Sequence, residues 1–235
     1  MKQREMIVGM TQAAGVVLAG GSGTRVGRNI NKVYLPIAGR PVLAWSLEAF
    51  ASHPDIGPLV LVTRPQDVDH VEKVVAGMDV DVVSGGDTRQ GSELAALRHL
   101  AGRIKAGEID AVVIHDGARP LVSPELVAAV LQAARKYGGA IPGMVSEDLA
   151  LATGEHVTPI IDELVAVQTP QGFLAAPLLA AYERAAEEGF VGTDTASCIE
   201  QFTDIEVHWV PGEQRNLKIT FGHDLVVAER ILESR

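Results

Sequence analysis

The sequence predicts an α/β protein with a mostly parallel sheet that is flanked by helices. Short apolar runs alternate with longer segments of helical spacing along most of the chain. That alternation is typical of βαβ units, in which each crossover helix packs back onto the sheet. The 235 residues, of which 47% are hydrophobic and 21% charged, suffice for one large core. We therefore expect a single domain over residues 1–235.

Four short apolar runs are the predicted core strands, because a strand buried on both faces reads as a continuous apolar run. They lie at 14–19, 58–63, 80–84 and 110–115. Segments with helical spacing separate or follow them, at 41–50, 68–76, 90–100 and 124–137. Ligands bind at the carboxyl ends of the strands in such sheets. The loops after Ala19, Ser84 and His115 should therefore converge on one site.

The stretch 146–173 breaks the alternation. A turn signal at 153–155 lies between strand-like runs at 149–151 and 160–161, which predicts a β-hairpin. We expect a protruding β-arm and a return segment here, inserted in the α/β domain. The alternation then resumes with predicted helices at 177–189, 193–202 and 224–233 and a strand at 205–210.

Composition excludes several classes of protein. The formal net charge of −10 disfavours binding to duplex DNA or anionic membranes, and 4% aromatic residues disfavour platforms for single-stranded nucleic acid. A single cysteine, Cys198, excludes an intramolecular disulfide framework and Cys-rich zinc sites. The sequence contains no apolar run long enough for a membrane helix, and the first twelve residues lack the apolar core of a signal peptide. We expect a cytoplasmic protein.

A glycine-rich loop follows the first predicted strand. Gly20, Gly21 and Gly23 let the backbone approach a ligand closely, and their amides could form an anion nest for a triphosphate. Arg25 and Lys32 then supply mobile positive charge. The loop is neither a P-loop nor a dinucleotide fingerprint. The alternative is a glycine turn that carries exposed basic residues.

Two further segments follow predicted strands. In 85–92, Asp87 or Ser92 could cap the next helix, or these residues could recognise a base and ribose together with backbone amides. In 114–120, Asp116 is well placed to hold Mg²⁺ among phosphate oxygens, or it is a turn residue paired with Arg119. Arg119 is also a candidate phosphate clamp, and we interpret His115 as structural.

A lysine near the C-terminus is the fourth candidate. The run 216–220 alternates like a strand, and Lys218 would face opposite to its apolar neighbours. Either Lys218 points at the site, or it is a solvent-facing lysine.

Together these segments resemble the 2-C-methyl-D-erythritol 4-phosphate cytidylyltransferase family, with a glycine loop closer to that of ribitol-5-phosphate cytidylyltransferases. The similarity extends over about residues 14–231, and its motifs occur in matching order. They are the loop 20–25 with Lys32, then 85–87, 115–120, 168–171, 193–194 and 216–220. The resemblance implies a Rossmann-like domain, a homodimer joined by the arm at 146–173, and CTP with Mg²⁺.

The resemblance also implies roles for individual residues. Arg25 and Lys32 would stabilise the transition state on the CTP phosphates, Asp116 would bind the metal, and Lys218 would steer a polyol phosphate. Contacts to CTP are implied for Ala19, Gly20, Gly21, Gly23, Gly86, Asp87, Ser92 and Gly117; among these, Gly86, Asp87 and Ser92 would read the cytosine and its ribose.

The acceptor half departs from the family pattern. Arg119 would assist the acceptor from its own or the partner subunit, and Asp148 lies where the family has an Asp-Thr pair and a lysine. In 160–163, Ile-Ile-Asp-Glu stands where the family has an arginine. Three alternatives therefore stay open: a cytidylyltransferase for another acceptor such as ribitol 5-phosphate, a nucleotidyltransferase for UTP or GTP, and a non-catalytic nucleotide-binding module.

Overall fold

The computed structural model describes residues 11–21, 30–146, 150–159 and 164–234. Its helices are α1 (Val42–Ala51), α2 (Val68–Val75), α3 (Arg89–Lys105), α4 (Pro124–Tyr137), α5 (Ala175–Glu188), α6 (Thr195–Phe202) and α7 (Gly222–Glu233). Its strands are β1 (Gln12–Leu18), β2 (Pro36–Ile37), β3 (Arg40–Pro41), β4 (Ile56–Thr63), β5 (Asp81–Ser84), β6 (Ile109–Asp116), β7 (Gly139–Ser146), β8 (Ala150–Thr153), β9 (His156–Pro159), β10 (Leu164–Val167), β11 (Gln171–Leu174) and β12 (His208–Pro211). Short 3-10 turns lie at Lys32–Tyr34 and Pro65–Asp67.

The main sheet has the order β10-β7-β11-β6-β1-β4-β5, and β12 pairs with β7. The pairs β1–β4, β1–β6 and β4–β5 are parallel, whereas β10 and β11 run antiparallel to their neighbours. The hairpin β8–β9 forms a separate two-stranded sheet. This arrangement confirms the predicted α/β fold with a mostly parallel sheet and a small additional hairpin.

Successive residues of the central strands feed two cores on opposite faces of the sheet. In β1, Ala13 and Val17 pack toward α1, α2 and α4, whereas Ala14 and Val16 pack toward α3, α5 and α6. Adjacent side chains in a strand point to opposite faces, so a strand covered on both sides must be apolar throughout. Because the strand interiors are apolar, polar side chains lie at the ends of the strands, including the carboxyl edge of the sheet.

Helix boundaries follow local signals where these are clear. Helix α4 coincides with the predicted 124–137: Ser123 Oγ accepts from the Leu126 amide at 3.0 Å, and Gly138 ends the helix at a φ of 98°. Helix α3 extends further than the predicted 90–100, and α6 begins at Thr195 because Asp194 is its N-cap.

Two expectations were wrong in detail. The run 216–220 is not a strand: it pairs with no strand in the described part of the chain, and its backbone makes isolated bonds, such as Ile219 N–H to the Ala118 carbonyl at 2.8 Å. The cap of α3 is Thr88, whose Oγ1 accepts from the Gly91 amide at 2.9 Å, and not Asp87 or Ser92. The return segment of the predicted arm joins the main sheet as β10 and β11. Among the described helices, none combines the length and the apolar character that a membrane span requires.

Candidate active site

A cavity of about 290 Å³ opens at the carboxyl edge of the sheet, beyond β1 and β6. The loops after β1, β5 and β6 line it, as predicted from the parallel strand alternation, and Lys218 from the C-terminal segment lines it too. The lining residues are Leu18, Ala19, Gly20, Gly21, Asn31, Lys32, Val33, Gly86, Asp87, Thr88, Arg89, Ser92, Asp116, Ala118 and Lys218.

The first wall of the cavity is the backbone that leaves β1. The Ala19 amide donates to the Val62 carbonyl at 2.8 Å, and Asn31 Nδ2 donates to the Ala19 carbonyl at 2.8 Å. Gly20 and Gly21 are exposed at this point. Lys32, in the 3-10 turn that Asn31 caps, is 7% exposed and lies in the same wall. Two exposed glycines and a lysine therefore line the same wall.

The second wall is the turn between β5 and α3. Because Thr88 caps the helix, the Asp87 side chain stays exposed in the cavity wall. The Ser92 hydroxyl lies within 2.9 Å of the Thr88 carbonyl and 3.3 Å of the Gly86 carbonyl. A Cβ on Gly86 would come within 3.0 Å of the Gly91 backbone. This turn is packed against the start of α3, and Asp87 and Ser92 both line the cavity.

Asp116 is the last residue of β6 and is 6% exposed. Its carboxylate pairs with Arg89 Nη1 and, at 2.7 Å, with Lys218 Nζ. Burial by itself would raise the pKa of Asp116, but the charges of Arg89 and Lys218 outweigh it and hold the pKa well below its ordinary value. The carboxylate is ionised. Its closest partners are Arg89 and Lys218. The predicted pairing with Arg119 is also present, at 3.9 Å from Arg119 Nε, and is the longest of the three ion pairs.

Gly117 and Arg119 lie behind the cavity and not among its lining residues. The Gly117 amide donates to the Leu18 carbonyl at 2.9 Å, which ties the end of β6 to the end of β1. Arg119 Nη1 donates to the Asn216 carbonyl at 2.7 Å. Burial lowers the pKa of Arg119, and the negative charge of Asp116 opposes that effect. Both residues support the wall that carries Asp116.

A buried amide network places Lys218. Asn216 is fully buried, and its Nδ2 donates to the Thr169 carbonyl at 2.8 Å and to Gln168 Oε1 at 3.2 Å. Gln168 Nε2 in turn donates to the Glu213 carbonyl at 2.9 Å. The irregular segment before α7 is therefore held against the segment before β11. Lys218 reaches the cavity from this support, with its side chain 39% exposed.

Arg89 is the principal cavity residue that the sequence reasoning did not single out. A cation in the first turn of a helix opposes the helix dipole, and that unfavourable placement is the signal that could have found it. The buried charges of Asp116 and Glu93 compensate it.

The structure thus brings together most of the predicted nucleotide-side residues: Ala19, Gly20, Gly21, Lys32, Gly86, Asp87, Ser92, Asp116 and Lys218. It does not bring Gly117 or Arg119 to the cavity surface. Gly23, Arg25 and Asp148 lie outside the described residues.

Fold and site define an α/β nucleotidyltransferase type of protein: a glycine-rich turn at the end of β1, a carboxylate at the end of β6, and cations around a cavity between them. Comparison with known proteins specifies the family. Residues 13–234 match the family model for 2-C-methyl-D-erythritol 4-phosphate cytidylyltransferase. The chain belongs to this family and is a cytidylyltransferase.

Individual relatives agree with that assignment. A 2-C-methyl-D-erythritol 4-phosphate cytidylyltransferase of Cereibacter sphaeroides is 41% identical over 95% of this chain and 97% of its own length. The protein of that name from Caldanaerobacter subterraneus is 36% identical over 92% of this chain and 97% of its own. The crystal structure of 4-diphosphocytidyl-2C-methyl-D-erythritol synthase from Anaerococcus prevotii is 30% identical, with a TM-score of 0.82 over 95% of this chain and 96% of that one.

Proposed function

We propose that this enzyme transfers the cytidylyl group of CTP to 2-C-methyl-D-erythritol 4-phosphate at the cavity described above, as a step of isoprenoid biosynthesis by the non-mevalonate pathway. Family membership supports the reaction. The observation that carries the assignment of the site is the pairing of Asp116 with both Lys218 and Arg89 in the wall of a cavity that two glycine-containing turns also line.

The reaction is an in-line displacement at the α-phosphorus of CTP. An oxygen of the acceptor phosphate forms the new P–O bond, and the bond from the α-phosphorus to the bridging oxygen breaks, so pyrophosphate leaves. A phosphate monoester has a second pKa near ~6 and is mostly dianionic at neutral pH. It needs no general base. The barrier lies in bringing two polyanions together, and positive charge and positioning lower it.

The described cations fit that requirement. Lys32, Arg89 and Lys218 all line the cavity, and Arg89 and Lys218 both pair with Asp116. Arg25 is proposed to add charge on the CTP phosphates, from the sequence alone. Asp87 and Ser92 would recognise the cytidine, since Asp87 in the β5–α3 turn and Ser92 in the first turns of α3 both line the cavity.

The site also fits a divalent cation. Mg²⁺ is commonly held by one or two carboxylates together with substrate phosphates, so it does not require an all-protein cage. Among the described residues, no three acidic, histidine or cysteine side chains are grouped so that they could hold a metal ion by themselves. The cavity wall does supply the buried carboxylate of Asp116, whose pKa is held well below its ordinary value. Asp116 would hold the ion, which would contribute charge beside the phosphates.

The assembly proposed for this enzyme is a homodimer formed through the arm at 146–173. Exposed apolar side chains on three strands of the main sheet support it: Val145 on β7, Leu164 and Val167 on β10 and Trp209 on β12 are between 36% and 48% exposed. Large exposed apolar side chains are expected at an interaction surface. Light scattering after size-exclusion chromatography would test it, and a monomer at micromolar concentration would contradict it.

Pyrophosphate release with CTP, Mg²⁺ and 2-C-methyl-D-erythritol 4-phosphate tests the reaction. Parallel reactions contain ribitol 5-phosphate as acceptor, UTP or GTP as donor, or EDTA. We expect pyrophosphate release only with CTP and the methylerythritol acceptor, and we expect EDTA to abolish that release. Release only with ribitol 5-phosphate would assign another acceptor, and CTP binding without turnover would indicate a nucleotide-binding module.

The variant Lys32→Ala tests the role of Lys32. It should lose activity and keep its fold, and near-normal turnover of the folded variant would contradict that role.

A further inference from the structure

Glu93 is a buried acid that the mechanism above does not use. It lies in the second turn of α3, is 1% exposed, and is not among the cavity lining residues. Its Oε1 accepts from Arg89 Nε at 3.1 Å and from the Thr195 hydroxyl at 2.8 Å, and its Oε2 accepts from the Tyr182 hydroxyl at 2.5 Å. Three helices therefore converge on one side chain.

Arg89 bridges this buried acid and the active site. Its Nε is bound to Glu93, and its Nη1 pairs with Asp116 in the cavity wall. A guanidinium is a rigid planar fork, so fixing one nitrogen restricts the directions of the other two. With Nε held by Glu93, the terminal nitrogen Nη1 is directed at Asp116.

The same turn of α3 also contacts the loop before α6. Gln90 Nε2 donates to the Phe190 carbonyl at 2.9 Å, and the Gly192 amide donates to Gln90 Oε1 at 2.8 Å. Thr195, at the start of α6, reaches Glu93 directly. The N-terminal turns of α3 therefore hold both the loop before α6 and the Arg89 side chain.

A buried carboxylate is costly unless it is paired, and an apolar residue of similar size would fill the same space without that cost. The presence of a carboxylate at this buried position is therefore explained better by its bond to Arg89 than by packing. We propose that Glu93 is a positioning residue that aims the Arg89 guanidinium at Asp116 and the CTP phosphates. This inference rests on the proposed function, since it assigns Arg89 to nucleotide binding.

Glu93→Gln tests it, because glutamine keeps the shape of the side chain and an acceptor for the hydroxyl donors but removes the charge from Arg89. A charged hydrogen bond contributes enough that kcat/KM for CTP should fall about tenfold or more. In an Arg89→Gln background, adding Glu93→Gln should cause no further loss, because the residue acts through Arg89. A purely structural role would instead give the same fold-loss in both backgrounds, together with a lower Tm.

Glu183→Gln is the matched control. It removes the carboxylate from Arg98, the exposed ion pair that joins the same α3 to α5, and it should leave kcat and both KM values unchanged. Wild-type kcat/KM in a folded Glu93→Gln protein would overturn the proposal, and so would an equal loss in the Arg89→Gln background.

Two conservative variants cover the case in which Glu93→Gln does not fold. Thr195→Val and Tyr182→Phe each remove one hydroxyl donor to Glu93, and each should cause a loss that disappears in the Arg89→Gln background. Calorimetric binding of CTP with Mg²⁺ repeats the cycle without turnover. Absence of pyrophosphate release by the wild type would thus contradict the proposed function alone, whereas uncoupled CTP affinities would contradict the role of Glu93.

Discussion

The Lys218 ammonium lies 2.7 Å from the Asp116 carboxylate, so the segment before the last helix meets the end of central strand β6. The Lys218 side chain is 39% exposed, whereas that of Asp116 is 9% exposed. The lysine can therefore turn toward an incoming phosphate without disturbing the core. Asp116 holds this cation at the cavity before any substrate arrives.

Removing that cation should impair catalysis far more than folding. Lys218→Ala should lower kcat by about 10²–10³-fold, as expected for the loss of one electrostatic stabiliser. Asp116 keeps Arg89 as a partner, so thermal unfolding should change little. Pyrophosphate release and a melting curve on the same preparation measure both effects. Lys105→Ala, at an exposed lysine in the last turn of α3, is the control. A folded Lys218→Ala enzyme with wild-type kcat would contradict the assignment.

His115 is predicted to make stability depend on pH. It is fully buried; its Nε2 lies 3.1 Å from the Arg119 carbonyl and its Nδ1 lies 3.1 Å from the Thr169 hydroxyl. A carbonyl only accepts, so Nε2 carries the hydrogen and Nδ1 accepts from Thr169, whose oxygen accepts from the Asp116 amide at 3.0 Å. This arrangement requires a neutral ring, and burial lowers the pKa of His115 to about 4.

The direction of this pH dependence follows from the number of protons that the folded and unfolded chains bind. Between pH 4 and an unfolded-state pKa of about 6.5, the unfolded chain binds a proton that the folded chain does not, so stability rises with pH. The stability that neutral His115 contributes is fully present above about pH 6.5. As the pH falls to about 4, the free energy of unfolding decreases by about 3 kcal/mol from this group. The pKa of Asp116 is depressed, so its contribution is lost only below about pH 4. Burial raises the pKa of Glu93, which acts in the opposite direction.

Urea unfolding at pH 7 and pH 5 isolates the contribution of His115. His115→Gln should show a smaller fall in the free energy of unfolding between these pH values than the wild type does. Because Glu93 titrates in both proteins, the difference between them belongs to His115. His223→Gln, at an exposed histidine of α7, should retain the wild-type pH dependence. Identical slopes for His115→Gln and wild type would refute this account.

Gly117 is predicted to tolerate no side chain. A Cβ there would lie 2.8 Å from Leu43 Cδ1 and 3.0 Å from the Leu18 carbonyl oxygen. Gly117→Ala should cost about 1–3 kcal/mol of stability through overpacking and lower kcat by displacing Asp116. Gly102→Ala, in α3 with no atom within 4 Å of the added Cβ, should instead be neutral or stabilise by up to about 1 kcal/mol. Chemical unfolding and initial rates measure both variants, and equal stabilities would rule out the steric argument.

Asn216 is predicted to link stability to activity. Asn216→Ala removes the donor from the buried Thr169 carbonyl and should destabilise the fold by about 1–3 kcal/mol. Because Lys218 follows two residues later, kcat should fall even at temperatures where the variant is folded. Gln214→Ala removes an exposed amide from the same segment and is the control. A destabilised variant with full kcat would show that Lys218 needs no such support.

Local signals in the sequence determine some element boundaries, and long-range contacts determine others. Helix α4 could be predicted to the residue because Ser123, Pro124 and Gly138 mark its ends through bonds within one turn. The cap of α3 could not, since Asp87, Thr88 and Ser92 are all capping residue types within six positions. In the structure, Thr88 caps the helix and Asp87 lies in the cavity wall.

The run 216–220 shows the same limit in a strand. Its alternation predicts β-structure, but a strand exists only where a neighbouring strand is available to pair with it. The segment instead docks by the buried Asn216 and by single backbone bonds. The alternation was still informative, because it placed Ile219 in the core and Lys218 outward.

By itself, the sequence determined the α/β alternation, the loops at the strand ends and the types of chemical group they carry. These depend on the period of apolar residues and on bonds between near neighbours in the chain. Only the tertiary structure decided which charges meet: Asp116 with Lys218 and Arg89, and Arg89 with Glu93. Coulomb energies depend on distance and burial, and the folded chain sets both for residues that are remote in sequence.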